Sequence, residues 1–228
     1  MNIPFYFYLL TILIITLIFV NYYIQMHLIY LKFPFYNRYK IIENLLNDEE
    51  INTILSEGID YGMKNGWTQQ RHENYPTTDN EIDESWKSHK LLNEKCNKII
   101  FKNMEKFFWL LPKKLMVSEF FMCKYENNYM TSQSSLEFHE DQYEFSFIIA
   151  LNDDYSGGGT VFEKKNITVK LKKGDCLIFC GQTRHGGKKI INGTRYIVSG
   201  FLKYGDYYYN DESDDESDDE PNDELDAE

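Results

Sequence analysis

The chain opens on thirty-one residues without a formally charged side chain before Lys32 is reached. Ile3 to Val20 is an unbroken run of 18, and continuing to Ile24 gives the roughly 20 residues a helix needs to cross a bilayer. A removable leader would carry a basic start, a shorter apolar run and a small-residue cleavage site, and none is evident. Residues 1–31 therefore predict an uncleaved, single-pass transmembrane anchor, with Tyr22 and Tyr23 suited to its interfacial belt. Lys32, Arg38 and Lys40 follow the span, which favours a cytoplasmic body by the positive-inside rule, although the side of the membrane stays open.

Beyond the anchor the apolar period becomes helical. The body is expected from about Ile41, and Asn47 with Glu50 has the spacing of a capping box. Ile51, Ile54, Leu55 and Ile59 then recur on one helical face until Gly62. After the polar stretch RHENYPTTDNEID, a second helix is predicted from about Ser88 to Phe108. Its apolar face is Leu91, Leu92, Cys96, Ile99, Ile100 and Phe107, and Pro112 ends it.

From Leu115 the period shortens. LMVSEFFMCKY, EFSFIIAL, TVFE, ITVKL, CLIFC and RYIVSGFL read as strands, punctuated by Asp153-Asp154, Gly157-Gly158-Gly159, Lys173-Gly174-Asp175, Gly186-Gly187 and Asn192-Gly193. Helices first and short strands afterwards give an α+β chain whose β core, about 115–204, is a sandwich or barrel. Residues 206–228 have almost nothing to bury and predict a disordered acidic tail.

Charge changes the picture in one respect. The net charge of −12 matches the twelve acidic and no basic side chains from Asp211 to Glu228. The rest of the chain is near neutral, with no basic surplus to grip a phosphate backbone, which argues against a nucleic-acid partner. Cys96, Cys123, Cys176 and Cys180 lack zinc-finger spacing and read as small buried hydrophobes.

The candidate chemistry lies in LEFHEDQYEF, residues 136–145. Residues i and i+2 of a strand point the same way, so His139 and Asp141 can present an imidazole and a carboxylate to one metal ion. Alone, an H-x-D triplet is weak. Among the five histidines only His185 lies downstream in the β-rich part. Two histidines and one carboxylate form the facial triad of non-haem ferrous oxygenases, though zinc accepts similar ligands. Ten residues beyond His185 stands Arg195, on the same strand face as Ile197 and Ser199. An arginine there is costly to bury unless it meets a fixed anion; otherwise it caps the turn and faces solvent.

From about Leu115 to Tyr204 this pattern resembles the iron(II)- and 2-oxoglutarate-dependent dioxygenases, closest to the prolyl 4-hydroxylase group. The matching features are FFMCKYE ending near Tyr125, the glycine-rich turn into Thr160 and Phe162, and the G-D-x-L-x-F strand from Gly174. The distal histidine and a basic residue on the last core strand complete the match. The resemblance implies a double-stranded β-helix (jelly-roll) over a domain at 41–205, with N-terminal supporting helices. It implies iron(II) on His139, Asp141 and His185, and 2-oxoglutarate held by Arg195, Tyr125 and Thr160. O2 would be the oxidant and ascorbate (vitamin C) a reductant. The implied reaction hydroxylates an unactivated C–H bond, with a prolyl or lysyl side chain of a polypeptide as the expected substrate. Two departures bear on substrate. Arginine stands where animal and plant prolyl hydroxylases often carry lysine, and Phe201 occupies the place of the second arginine of nucleic-acid demethylases. A stretch like RHENYPTTD, residues 71–79, lies upstream of the core in some hydroxylases of this group and is expected near the substrate entrance. The competing class is a membrane-tethered, non-catalytic β-helix binding module acting through its acidic tail. Loss of a ligand would mark it, and no ligand is lost.

Overall fold

The computed structural model describes residues 5–30, 38–69, 77–107, 114–127 and 133–205. The acidic tail at 206–228, most of the RHENYPTTD stretch and the linker after the anchor lie outside them. Helix α1 (Phe5–Tyr30) exposes its described side chains, Ile12, Leu17 and Phe19 among them. Among the described residues no helix is long and apolar enough to cross a membrane.

The body begins slightly earlier than the sequence suggests, at edge strand β1 (Tyr39–Ile42). Helix α2 (Asp48–Asn65) starts at the expected capping box. Asn47 Oδ1 accepts the Glu50 amide at 2.9 Å and a Glu50 carboxylate oxygen accepts the Asn47 amide at 2.9 Å. It runs one turn past Gly62. After β2 (Asp79–Glu81), the second helix is continuous but not uniform. It comprises α3 (Lys87–Lys95), a π-helical turn over Cys96–Ile100 and α4 (Phe101–Phe107). Leu92, Cys96, Ile100 and Met104, each four residues from the last, are all buried. Met104 belongs to that face although the sequence pattern did not single it out.

The remaining strands are β3 (Leu115–Glu126), β4 (Leu136–His139), β5 (Phe145–Ala150), β6 (Ser156–Gly157), β7 (Thr160–Phe162), β8 (Ile167–Val169), β9 (Cys176–Cys180), β10 (His185–Gly187), β11 (Ile190–Asn192) and β12 (Thr194–Tyr204). They form a six-stranded sheet, β1-β9-β5-β12-β3-β2, facing a four-stranded sheet, β4-β10-β7-β8, with β11-β6 as a small ribbon. Every pairing is antiparallel. Mixed helices and strands with a jelly-roll core are the α+β architecture expected.

Strands of the large sheet are buried on both faces, so they read as continuous apolar runs rather than alternating ones. Parity sorts them. Phe120, Met122, Phe147, Ile149, Ile178 and Val198 pack outward under the helices with Ile51, Ile54 and Leu92. Phe121, Cys123, Tyr125, Ile148, Phe179 and Ile197 face inward toward the small sheet. Gly200 belongs to the outward packing: a Cβ there would fall 2.2 Å from the Phe147 ring. All four cysteines are buried and unbridged.

Candidate metal centre and its cavity

The inward face of the large sheet and the short strands opposite enclose one cavity of about 490 Å3. Its floor is a ladder of paired residues on β3 and β12. Tyr125 lies opposite Arg195, Cys123 opposite Ile197, Phe121 opposite Ser199 and Glu119 opposite Phe201. Because i and i+2 share a face, these rungs run in order along the cavity. One end carries a cation and a phenol, the middle is largely apolar, and the far end is aromatic, with Phe201 and Tyr143.

His139, Asp141 and His185 converge over this floor. Their ligand atoms all lie within 4.8 Å of one another. Asp141 Oδ1 is 3.4 Å from His139 Nε2, and its Oδ2 is 3.6 Å from His185 Nε2. The two histidines are opposed in the β4/β10 pairing, with ring centroids 4.4 Å apart. Each Nδ1 lies against a backbone carbonyl: His139 against Glu137 O at 2.9 Å, His185 against Thr183 O at 2.8 Å. A carbonyl can only accept, so both Nδ1 atoms carry a proton, and both Nε2 atoms are turned toward the Asp141 carboxylate. That is the tautomer a metal ligand needs.

The route to this geometry differs from the one read from the sequence. Strand β4 ends at His139, so Asp141 is not a strand neighbour on the same face. It is placed by its own amide, which donates to Gly181 O at 2.8 Å. A Cβ on Gly181 would fall 2.2 Å from Tyr143 O, so only glycine permits that close approach. The three side chains are electrostatically coupled. For His139, burial disfavours the charged ring, but the Asp141 and Glu137 hydrogen bonds outweigh it and its pKa is raised. Burial lowers that of His185. Asp141 is lowered despite burial, because His139, His185 and Ser146 together favour its carboxylate.

At the other end, Arg195 is buried, not capping a turn in solvent. Its guanidinium carbon lies 5.7 Å from the Tyr125 ring centroid. Among the described residues, Arg195 Nε is the one buried side-chain polar atom without a hydrogen-bond partner. A buried donor left unmade costs about 1–3 kcal/mol, more when charged, so an anion is the natural complement. Tyr125 and Thr160 are buried and line the same cavity. Burial holds the Tyr125 phenol well above its ordinary pKa, so it stays a hydrogen-bond donor. All six residues singled out from the sequence thus border one space.

Others were missed. Ser146 is buried on β5 and its hydroxyl donates to Asp141 Oδ2. A serine in the apolar run EFSFIIAL was the available signal. Tyr143 stacks on Phe201, with centroids 4.5 Å apart and planes 11° apart, and its hydroxyl donates to Glu119 Oε1 at 2.9 Å. No signal short of the fold joins those three. Thr77, at the described end of the RHENYPTTD stretch, borders the cavity, while residues 71–76 lie outside the described residues.

No family model matches the chain. Over 102 residues it is 36% identical to a procollagen-lysine,2-oxoglutarate 5-dioxygenase of Drosophila melanogaster, covering 42% of this chain and 13% of that protein. The chain therefore spans only a small part of that relative's length. Among solved structures it is similar to a viral collagen prolyl hydroxylase of Paramecium bursaria Chlorella virus-1 in complex with 2-oxoglutarate. There the TM-score is 0.56 and identity 16%, over 73% of this chain and 96% of that one. A Pseudomonas putida prolyl-4-hydroxylase gives a TM-score of 0.57 at 10% identity, over 74% and 93%. A 2OG-Fe(II) oxygenase family oxidoreductase of Burkholderia pseudomallei gives 0.57 at 13%, over 72% and 85%. At such identities the likeness is one of fold. The chain has the jelly-roll fold of the 2-oxoglutarate- and iron(II)-dependent oxygenases.

Proposed function

We propose that the chain is an iron(II)- and 2-oxoglutarate-dependent dioxygenase that hydroxylates a prolyl, or lysyl, side chain of a polypeptide. One observation carries this reading. A His-Asp-His set whose ligand atoms lie within 4.8 Å of one another and an arginine with an unmatched buried donor border the same cavity. The first suits a divalent metal with open positions, the second the distal carboxylate of a dicarboxylate cosubstrate.

His139, Asp141 and His185 would hold iron(II), which when bound supplies the oxidation of a C–H bond by O2 coupled to decarboxylation of 2-oxoglutarate to succinate. The chain's own contribution is placement. Arg195 pairs with the distal carboxylate, and Tyr125 and Thr160 offer hydroxyl donors to it. Cys123, Ile148 and Ile197 line the space between with apolar surface, which keeps water from the reacting end. Phe201 and Tyr143 line the opposite end of the cavity and would meet the arriving polypeptide, with Glu119 hydrogen-bonded to Tyr143. Ascorbate is the expected reductant for oxidised metal. The test is succinate formation by the iron-loaded protein with prolyl and lysyl peptides. No succinate above background with any peptide, or without one, would reject it.

Residues 1–31 are proposed as a single-pass membrane anchor, supported by the absence of a formal charge before Lys32. Removing residues 1–31 should release the protein from a detergent requirement while the body still folds. Asn166 and Asn192 head formal glycosylation sequons and are exposed. A glycosidase-sensitive mass shift at either would put the body in the secretory lumen; its absence is expected for a cytoplasmic body.

A further inference from the structure

The Asp141 carboxylate has two oxygens, and each faces one histidine: Oδ1 is near His139 Nε2 and Oδ2 near His185 Nε2. Nothing in the triad itself decides whether one oxygen or both would bind a metal. The choice matters chemically, because a carboxylate that binds through both oxygens consumes one of the positions a chelating cosubstrate and an oxidant need. The fold supplies a residue that can decide it. Ser146 sits on β5, on the inward face with Ile148, directly opposite Phe201 of β12. It is 1% exposed, and its hydroxyl donates to Asp141 Oδ2.

We propose that Ser146 is a positioning residue that holds Asp141 as a one-oxygen ligand, engaging Oδ2 and presenting Oδ1 to the metal. This rests on the metal-site reading above and adds a role for a side chain that acts on the metal through Asp141. The backbone supports the same geometry. The Asp141 amide is tied to Gly181 O at 2.8 Å, so the residue is fixed from the main chain on one side and at one carboxylate oxygen on the other. A carboxylate so held has little freedom to rotate into two-oxygen binding. Hydrogen bonds to metal-ligating groups orient the ligand, and losing one typically costs about ten- to a hundredfold in metal affinity.

The experiment uses the full chain, purified without metal, and cobalt(II) as a spectroscopic probe. Ser146→Ala removes the hydroxyl at almost constant volume, and Ser146→Thr keeps it. Thermal melting of each apo-protein reports folding separately. The expected result is that Ser146→Ala melts like wild type without metal, binds cobalt(II) about ten- to a hundredfold more weakly, and shows an altered visible d–d spectrum. Ser146→Thr should restore both affinity and spectrum. The proposal is overturned if Ser146→Ala binds cobalt(II) with wild-type affinity and spectrum, or if Ser146→Thr is as impaired as Ser146→Ala. Wild type failing to bind cobalt(II) at all overturns it too, and is distinguishable because the metal-site reading then falls with it.

Discussion

Arg195 and Tyr125 stand opposite each other on β12 and β3, with the guanidinium carbon 5.7 Å from the phenol ring and Nε buried without a partner. This pair gives the cavity one anion-binding end. If 2-oxoglutarate fills it, Arg195→Ala removes one half of a charge-assisted contact, at a cost of about 2–5 kcal/mol, roughly 30- to several-thousand-fold in affinity. Calorimetric titration of 2-oxoglutarate into the metal-loaded protein measures this. Arg195→Lys should keep part of the affinity, because the charge survives while the fork geometry does not. Arg184, exposed and paired with Glu163 at 2.7 Å, is the control, and its replacement should leave cosubstrate affinity alone.

The metal-binding prediction follows from ligand count. Asp141→Ala or His185→Ala leaves two fixed donors in a site open on its other sides, too few to hold a divalent ion tightly. Anaerobic iron(II) binding should fall from one equivalent to a small fraction in either variant. Unchanged stoichiometry in both would remove the triad assignment.

At the opposite end, Tyr143 is fixed by the Phe201 ring and the Glu119 carboxylate. Tyr143→Ala removes a wall of the substrate end without touching a ligand or the anion pair. An aromatic contact between Tyr143 and an arriving side chain is worth about 1 kcal/mol, roughly fivefold in binding. The peptide KM should rise by about that factor, while the 2-oxoglutarate dissociation constant stays at its wild-type value. Equal changes in both would mean Tyr143 supports the whole cavity rather than the substrate end.

Stability in acid should depend in part on Glu50. Burial opposes its charge, but the Lys95 ammonium at 2.7 Å and the Asn47 amide outweigh that, and its pKa is lowered from 4.5. A carboxylate with a depressed folded pKa stabilises above its unfolded value, and the contribution is lost as pH falls through the folded value. Glu50→Gln should therefore lower the melting temperature at pH 7, and the gap to wild type should close well below pH 4.5. A gap of constant size at both pH values would show that the charge contributes nothing.

How much of this was legible beforehand depended on whether the signal was local. The capping box at Asn47 and Glu50 and the apolar run EFSFIIAL are local patterns, and each appears where expected. The facial set of His139, Asp141 and His185 was legible because two members lie two residues apart and few histidines compete for the third. The manner of their convergence was not. Strand β4 stops at His139, and Asp141 is aimed by an amide bond to Gly181, forty residues away. The π-helical turn at Cys96–Ile100 was likewise invisible, since apolar residues at i and i+4 satisfy an α-helix equally well. Tyr143, Phe201 and Glu119 meet only through strand register, which no local pattern encodes.

The central claim is that one cavity couples a metal at His139, Asp141 and His185 to 2-oxoglutarate at Arg195. Succinate release by the iron(II)-loaded protein, followed against 2-oxoglutarate concentration for wild type and Arg195→Ala, tests it most directly. Wild type should release oxygen-dependent succinate, increased by a prolyl or lysyl peptide, and the Arg195→Ala saturation curve should be displaced at least about tenfold to higher concentration. Superimposable curves, or no succinate from wild type above the metal-free background, would contradict it.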